Sequence, residues 1–269
     1  RAHVIAGLYD LGDRPLAVIC QDDLAAKRLQ GELKAFLGQE PPVLPGRDLN
    51  LYDAAVVSRV WEQRRLRQLY DLGKGQTRLQ IFSWESMSLR TMPKSALFAA
   101  AFQLRLGVQV SVEELLARLV AMGYSRAPMV EGPGQFALRG GILDLYSPAE
   151  GQPVRVEFFG DELDTMGYFD PNTQRRTENV EEITVLPVAE SQPGLHPGGI
   201  PGLQRDLQAL LARQKRRKNQ NERLIRTLEQ DLERLENGVS LPAPDRYMAL
   251  IAPEMTTALD YVSQDALVV

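Results

Sequence analysis

The sequence predicts an α/β protein whose parallel sheet is split in the chain by an inserted α+β domain. Three observations predict it. Strand-like and helix-like segments alternate through residues 1–107, short alternating strands crowd residues 108–190, and apolar strand-like runs return near the end of the chain. Within 1–107, LAVIC (16–20) reads as a buried strand. DDLAAKRLQGELKAFLG (22–38) reads as an amphipathic helix with Asp22 at its N-cap and Gly38 at its C-cap. RLQIFSWESM (78–87) reads as a second strand running into the start of a helix.

Within 108–190 a single helix, VEELLARLVAMG (112–123), precedes short strands punctuated by Gly and Pro. SQPGLHPGGIPG (191–202) has the composition of a linker. A long charged helix, continuous or with a break, is expected over 203–236, then buried-strand material at RYMALIA (246–252) and ALVV (266–269) that rejoins the first sheet. The expected domains are therefore 1–107, 108–190 and 191–269.

Composition bounds the function. At 269 residues and 44% hydrophobic the chain can build two real cores. No apolar run approaches the ~18 residues of a membrane span, and no signal peptide is visible, so no membrane partner is expected. Cys20 is alone, which rules out an internal disulfide framework and fits a reducing cytosol; the expected location is cytoplasmic. His3 and His196 lie far apart with no cysteine beside them, so no metal site is expected. The chain begins at Arg1 and ends in the apolar run DALVV (265–269), and is expected to be a segment of a larger protein.

No catalytic motif is complete in the sequence. A phosphate-binding loop needs GxxxxGK[ST], because backbone N–H groups wrap the phosphates while lysine neutralises them; LGKGQT (72–77) lacks the first glycine and has Gly75 where Ser or Thr should follow Lys74. GPGQFA (132–137) formally fits GxGxxA but precedes a strand, where the dinucleotide fingerprint needs a helix. Asp22 and Asp23 at a helix start read as cap and dipole partner. The expectation is no catalytic residue and no bound cofactor in this chain.

Charge is more informative. Residues 108–190 hold six arginines, no lysine and fourteen acids, a balance of −8, so a phosphate backbone is a poor partner there. In VRVEFFGDELD (154–164), Val154, Val156 and Phe158 alternate onto one face while Arg155, Glu157 and Phe159 take the other. In QFALRGG (135–141), Ala137 and Arg139 share the face opposite Phe136 and Leu138. If the two strands are neighbours, Arg139 and Arg155 share a face with Phe159, and arginine with aromatics dominates binding hot spots. The alternative is that the arginines pair with internal carboxylates and Phe159 is core. From Arg205 to Arg226 eight basic residues face two acidic ones, and Lys215, Arg216, Arg217 and Lys218 form a run that is either a solvated face or a phosphate-contacting stripe.

These stretches carry a resemblance. GYSR (123–126), GQFALRGGILDLYSP (134–148), VRVEFFGDELD and FDPNTQRRTENVEEITVLPVAE (169–190) resemble the UvrB-homology module of the bacterial transcription-repair coupling factor (Mfd) family. RLRQLYDLGKGQTRLQIFSWESM fits that family's first subdomain and DRYMALIAPEMTTALDYVSQDALVV its return. Tyr146 stands where phenylalanine is more usual. The resemblance implies a degenerate P-loop-NTPase-like α/β domain without functional ATP hydrolysis, and an inserted domain that binds UvrA through Arg139, Arg155 and Phe159. It implies that ATP, magnesium, RNA polymerase and DNA are handled by other regions of the longer, translocating protein. A fragment of the related damage-recognition helicase UvrB, which carries a P-loop, is the alternative, as is a nucleic-acid binder using residues 213–226.

Overall fold

A computed structural model describes residues 1–46 and 59–269. Helix α1 (Ala2–Leu11) leads into β1 (Leu16–Cys20) and α2 (Asp23–Leu37). The Asp22 carboxylate accepts the Ala25 N–H at 2.7 Å, and Gly38 closes the helix at φ 68°, a left-handed cap that costs glycine no Cβ clash. After α3 (Arg59–Gly73) comes β2 (Leu79–Ser83), whose five residues are all buried, as in a parallel strand covered on both faces. Ser83 and Ser86 cap the short α4 (Trp84–Ser88) reciprocally, and α5 (Lys94–Ala100) follows.

The α+β region begins with β3 (Phe102–Arg105) and α6 (Val112–Ala121), capped by Ser111. Seven strands follow: β4 (Ser125–Arg126), β5 (Gln135–Arg139), β6 (Ile142–Leu145), β7 (Val154–Phe159), β8 (Glu162–Phe169), β9 (Arg176–Asn179) and β10 (Glu182–Val185). β4 to β9 form one six-stranded sheet in sequence order, antiparallel except for β4 beside β5, while β10 pairs with β3 as a separate ribbon. One sheet face is the core. Val154, Val156, Leu143, Leu145, Phe136 and Met166 bury there against Leu115 and Leu119 of α6 and Ile183 and Val185 of the ribbon.

The long charged helix expected over 203–236, whose continuity the sequence leaves open, is two helices, α7 (Gly199–Lys215) and α8 (Glu222–Glu236), packed on each other. Polar Gln214, Lys218 and Asn221 interrupt the apolar stripe, so the chain reverses at 216–221 and brings Leu203 and Leu207 into one core with Leu228 and Leu232. Asn221 restarts the helix by accepting the Leu224 N–H at 3.0 Å. The segment read as linker, 191–202, holds a 3-10 turn at Pro193–Leu195 and the first turn of α7. RYMALIA is not a strand: Pro244–Tyr247 is a 3-10 turn and α9 (Met248–Ile251) is helical, with Tyr247 and Ile251 in the helical core. Its apolar run fits strand or helix by pattern alone, and packing against the leucine stripe decides.

β11 (Leu267–Val268) completes the parallel sheet, pairing with β1, which pairs in parallel with β2, for the order β11–β1–β2. Ile5 and Ala6 of α1 and Ala26 and Leu33 of α2 pack on this sheet. The described residues divide into two compact units, 1–46 with 59–190 and 256–269, and 191–255. Among them no helix is long and apolar enough to cross a membrane.

Candidate functional site

Two hairpins of the six-stranded sheet turn at the same end. Arg139 pairs with Ile142 across Gly140–Gly141, and Phe159 pairs with Glu162 across Gly160–Asp161. Gly140 and Gly160 adopt φ 60° and 64°, the positive φ that two-residue hairpin loops require. Because β6 and β7 are antiparallel, with Ile142 opposite Glu157, the two tips lie side by side. The Phe158 N–H donates to the Gly141 carbonyl at 2.8 Å and ties them together.

The strand alternation is as the sequence reads. Val154 and Val156 are fully buried and Phe158 packs against the core, while Phe159 on the opposite face is 81% exposed. Beside it stand half-exposed Arg139 and Ile142, the latter an apolar side chain that sequence reading did not single out. The readable signal was Gly-Gly between alternating residues in ALRGGILD, which sets Arg139 and Ile142 opposite each other.

Arg139 and Arg155 converge on one carboxylate, Asp144, which is buried and lies directly opposite Arg155 in the ladder. Arg155 donates from Nε to Oδ1 at 2.6 Å and from Nη2 to Oδ2 at 2.9 Å; Arg139 Nη2 reaches Oδ2 at 2.6 Å. Arg155 also donates to the Gln174 carbonyl and Oε1, both at 3.2 Å, and lies over the Phe169 ring, 4.7 Å from its centroid. Hydrogen bonding to Asp144 raises the Arg155 pKa above its ordinary value. Arg155 thus spans β6, β7 and the loop after β8, whereas Arg139 keeps half of its side chain in solvent.

The remaining candidates fall elsewhere. LGKGQT follows the C-terminal end of α3: Lys74 lies over the Tyr70 ring, and Gln76 N–H bonds the Asp71 carbonyl. A helix C-terminus presents carbonyls and negative potential, the wrong end for phosphate. Lys215 ends α7, and Arg216, Arg217 and Lys218 lie in the exposed connection to α8.

Residues 102–190, which hold both hairpins and the Asp144 cluster, match the family described as the UvrB interaction domain. The chain is 34% identical over 199 residues to the transcription-repair-coupling factor of Myxococcus xanthus, covering 71% of this chain and 16% of that protein. It is 31% identical over 188 residues to that of Staphylococcus aureus (strain USA300), covering 70% of this chain and 16% of that protein. With that of Bacillus subtilis (strain 168) it is 26% identical over 272 aligned positions, covering 100% of this chain and 23% of that protein. The chain is a homologue of the transcription-repair-coupling factors, with a UvrB interaction domain at residues 102–190. It spans 16–23% of the length of these relatives. The UvrB interaction domain therefore carries the paired hairpin tips exposed at one end of the sheet, with Asp144 as the buried joint beneath them beside a small second cluster of Val130, Ala137 and Phe169.

Proposed function

We propose that this chain is the UvrA-recruiting module of a transcription-repair-coupling factor, and that UvrA docks on the hairpin tips of the UvrB interaction domain. The observation that carries the reading is Phe159: a large aromatic at a rigid two-residue turn, 81% exposed, on the face away from the core. Phe159 gains nothing from core burial there, and it is grouped with an arginine and Ile142, the combination of aromatic, arginine and apolar anchors that a desolvated protein contact uses. Arg139 and Ile142 complete the contact, and Arg155 acts chiefly by fixing Asp144 and hence Arg139.

In the same reading the parallel α/β domain is a degenerate P-loop-NTPase-like domain. Its β11–β1–β2 order with packed helices supports this, and the placement of LGKGQT does not fit a phosphate site. The chain then has no ATPase activity of its own and acts in the cytoplasm. ATP and magnesium chemistry, RNA polymerase engagement and the translocating grip on DNA belong to other regions of a longer protein. The test is titration of purified UvrA against the full chain and its Phe159→Ala variant, with thermal unfolding of both. Phe159→Ala should weaken binding by about 30-fold or more, a typical hot-spot loss, at an unchanged melting temperature. Absence of UvrA binding by the unaltered chain, or equal binding by the variant, would overturn the proposal.

A further inference from the structure

The reversal between α7 and α8 does something that a continuous helix would not. It folds a basic run back on itself, so that the C-terminal end of α7 (Arg213, Lys215) and the N-terminal turn of α8 (Arg223, Arg226) meet at one tip of the helical hairpin. The connection between them adds Arg216, Arg217 and Lys218, all exposed. Glu222 is the one acid between Arg213 and Arg226. The acids of α8 (Glu229, Asp231, Glu233, Glu236) lie toward its other end. Lys215 pairs with Glu229 at 2.6 Å and Arg226 with Glu222 at 3.4 Å. Among the described residues, Arg213, Arg216, Arg217 and Lys218 have no carboxylate at salt-bridge distance.

One or two cations at a helix C-terminus complement its dipole. Four without a carboxylate partner within residues 213–218 exceed that need, and they concentrate positive potential that an external anion complements. We infer that this tip is an electrostatic contact for the phosphate backbone of duplex DNA. The chemistry selects that ligand class. The tip carries guanidinium and ammonium donors with Asn219, Gln220 and Asn221 beside them, and residues 213–226 include no aromatic on which an unpaired base could stack. A contact of this kind reads charge spacing and not sequence, is weak, and depends steeply on salt.

The experiment uses the full chain and a labelled random-sequence duplex of about 20 base pairs, with anisotropy followed between about 50 and about 200 mM salt. Binding is expected at low salt, with log K falling linearly against log salt. The triple variant Arg216→Gln, Arg217→Gln, Lys218→Gln should flatten that slope by about 3, near 0.9 per phosphate contact removed. Phe159→Ala should leave duplex binding unchanged, which separates this contact from the UvrA surface. Three results would overturn the inference: no duplex binding at the lowest salt, an unaltered slope in the triple variant, or a poly-glutamate peptide binding as tightly as the duplex. The last would make the tip a site for acidic protein.

Discussion

Phe158 donates its backbone N–H to the carbonyl of Gly141, 2.8 Å away, and so fixes two hairpin tips side by side on the UvrB interaction domain. A Cβ on Gly141 would sit 3.1 Å from the Phe158 carbonyl oxygen, so the approach is close enough that glycine matters. The exposed residues Arg139, Ile142 and Phe159 inherit a fixed spacing from this backbone contact and from the two-residue turns. The tips are supported from below by a polar cluster that can be dismantled one residue at a time.

Asp144 is the joint of that cluster. Replacing it with alanine leaves two guanidinium groups facing each other, one of them mostly buried. Breaking a buried pair costs about 3–5 kcal/mol. Half of Arg139 is in solvent and can rehydrate, so Asp144→Ala should cost about 2–4 kcal/mol. Denaturant unfolding at constant m-value checks it. A loss below about 1 kcal/mol would mean the arginines stand without their counter-ion.

The two arginines should behave differently. Arg155 touches Asp144, Gln174 and the Phe169 face, so Arg155→Ala should lower stability by about 2–4 kcal/mol and weaken UvrA binding through misplacement of Arg139. Arg139→Ala should cost no more than about 1 kcal/mol of stability, as exposed pairs do, and its effect should appear in binding. Equal loss of melting temperature in the two variants would refute the division of labour.

How much of this was legible in the sequence follows from what each feature depends on. The alternation of Val154, Val156 and Phe158 against Arg155, Glu157 and Phe159 is a property of one strand, and the sequence shows it directly. Asp144 as shared counter-ion is a property of register between β6 and β7, which a single sequence does not fix. At 216–221 no Gly or Pro marks a turn; polar Gln214, Lys218 and Asn221 show where the apolar stripe is interrupted, but that the chain folds back there depends on Leu207 sharing a core with Leu228 and Leu232. RYMALIA misled for the same reason, since a short apolar run takes its secondary structure from its neighbours. Tertiary contact is the missing information in each case.

A second buried ion pair gives an independent test of packing. Arg65 of α3 donates from Nε to Glu190 Oε1 at 2.8 Å, with both side chains almost fully buried, and from Nη1 to the Pro45 and Ser86 carbonyls at 2.8 and 2.9 Å. The Thr91 hydroxyl donates to Glu190, and the Glu190 N–H donates to Glu62 at 2.7 Å. Arg65→Met or Glu190→Gln alone should each cost about 3–5 kcal/mol. The double variant should lose clearly less than the sum, because neither charge is then stranded. Strict additivity in the four-variant cycle would show that the pair is not coupled.

Alkali should unfold the protein through its tyrosines. Burial is the first cause raising the pKa of Tyr124, Tyr168, Tyr247 and Tyr261, and each hydroxyl also donates a bond. Tyr124 donates to the Leu186 carbonyl at 2.7 Å, Tyr261 to that of Met92 at 2.8 Å, and Tyr168 and Tyr247 to Glu150 and Asp231, both at 2.6 Å. Tyr168 is pushed up to about 12, and the other three move in the same direction. In the unfolded chain tyrosine ionises near about 10. The folded state therefore holds protons that the unfolded state releases, so ν_U is below ν_N and stability falls as pH rises. The contribution is complete below about pH 10 and is lost as pH climbs through the folded values. Phenolate absorbance should show these four ionising together with loss of helical circular dichroism. If all tyrosines titrate reversibly near pH 10 with the fold intact, the buried hydroxyl bonds do not hold as described.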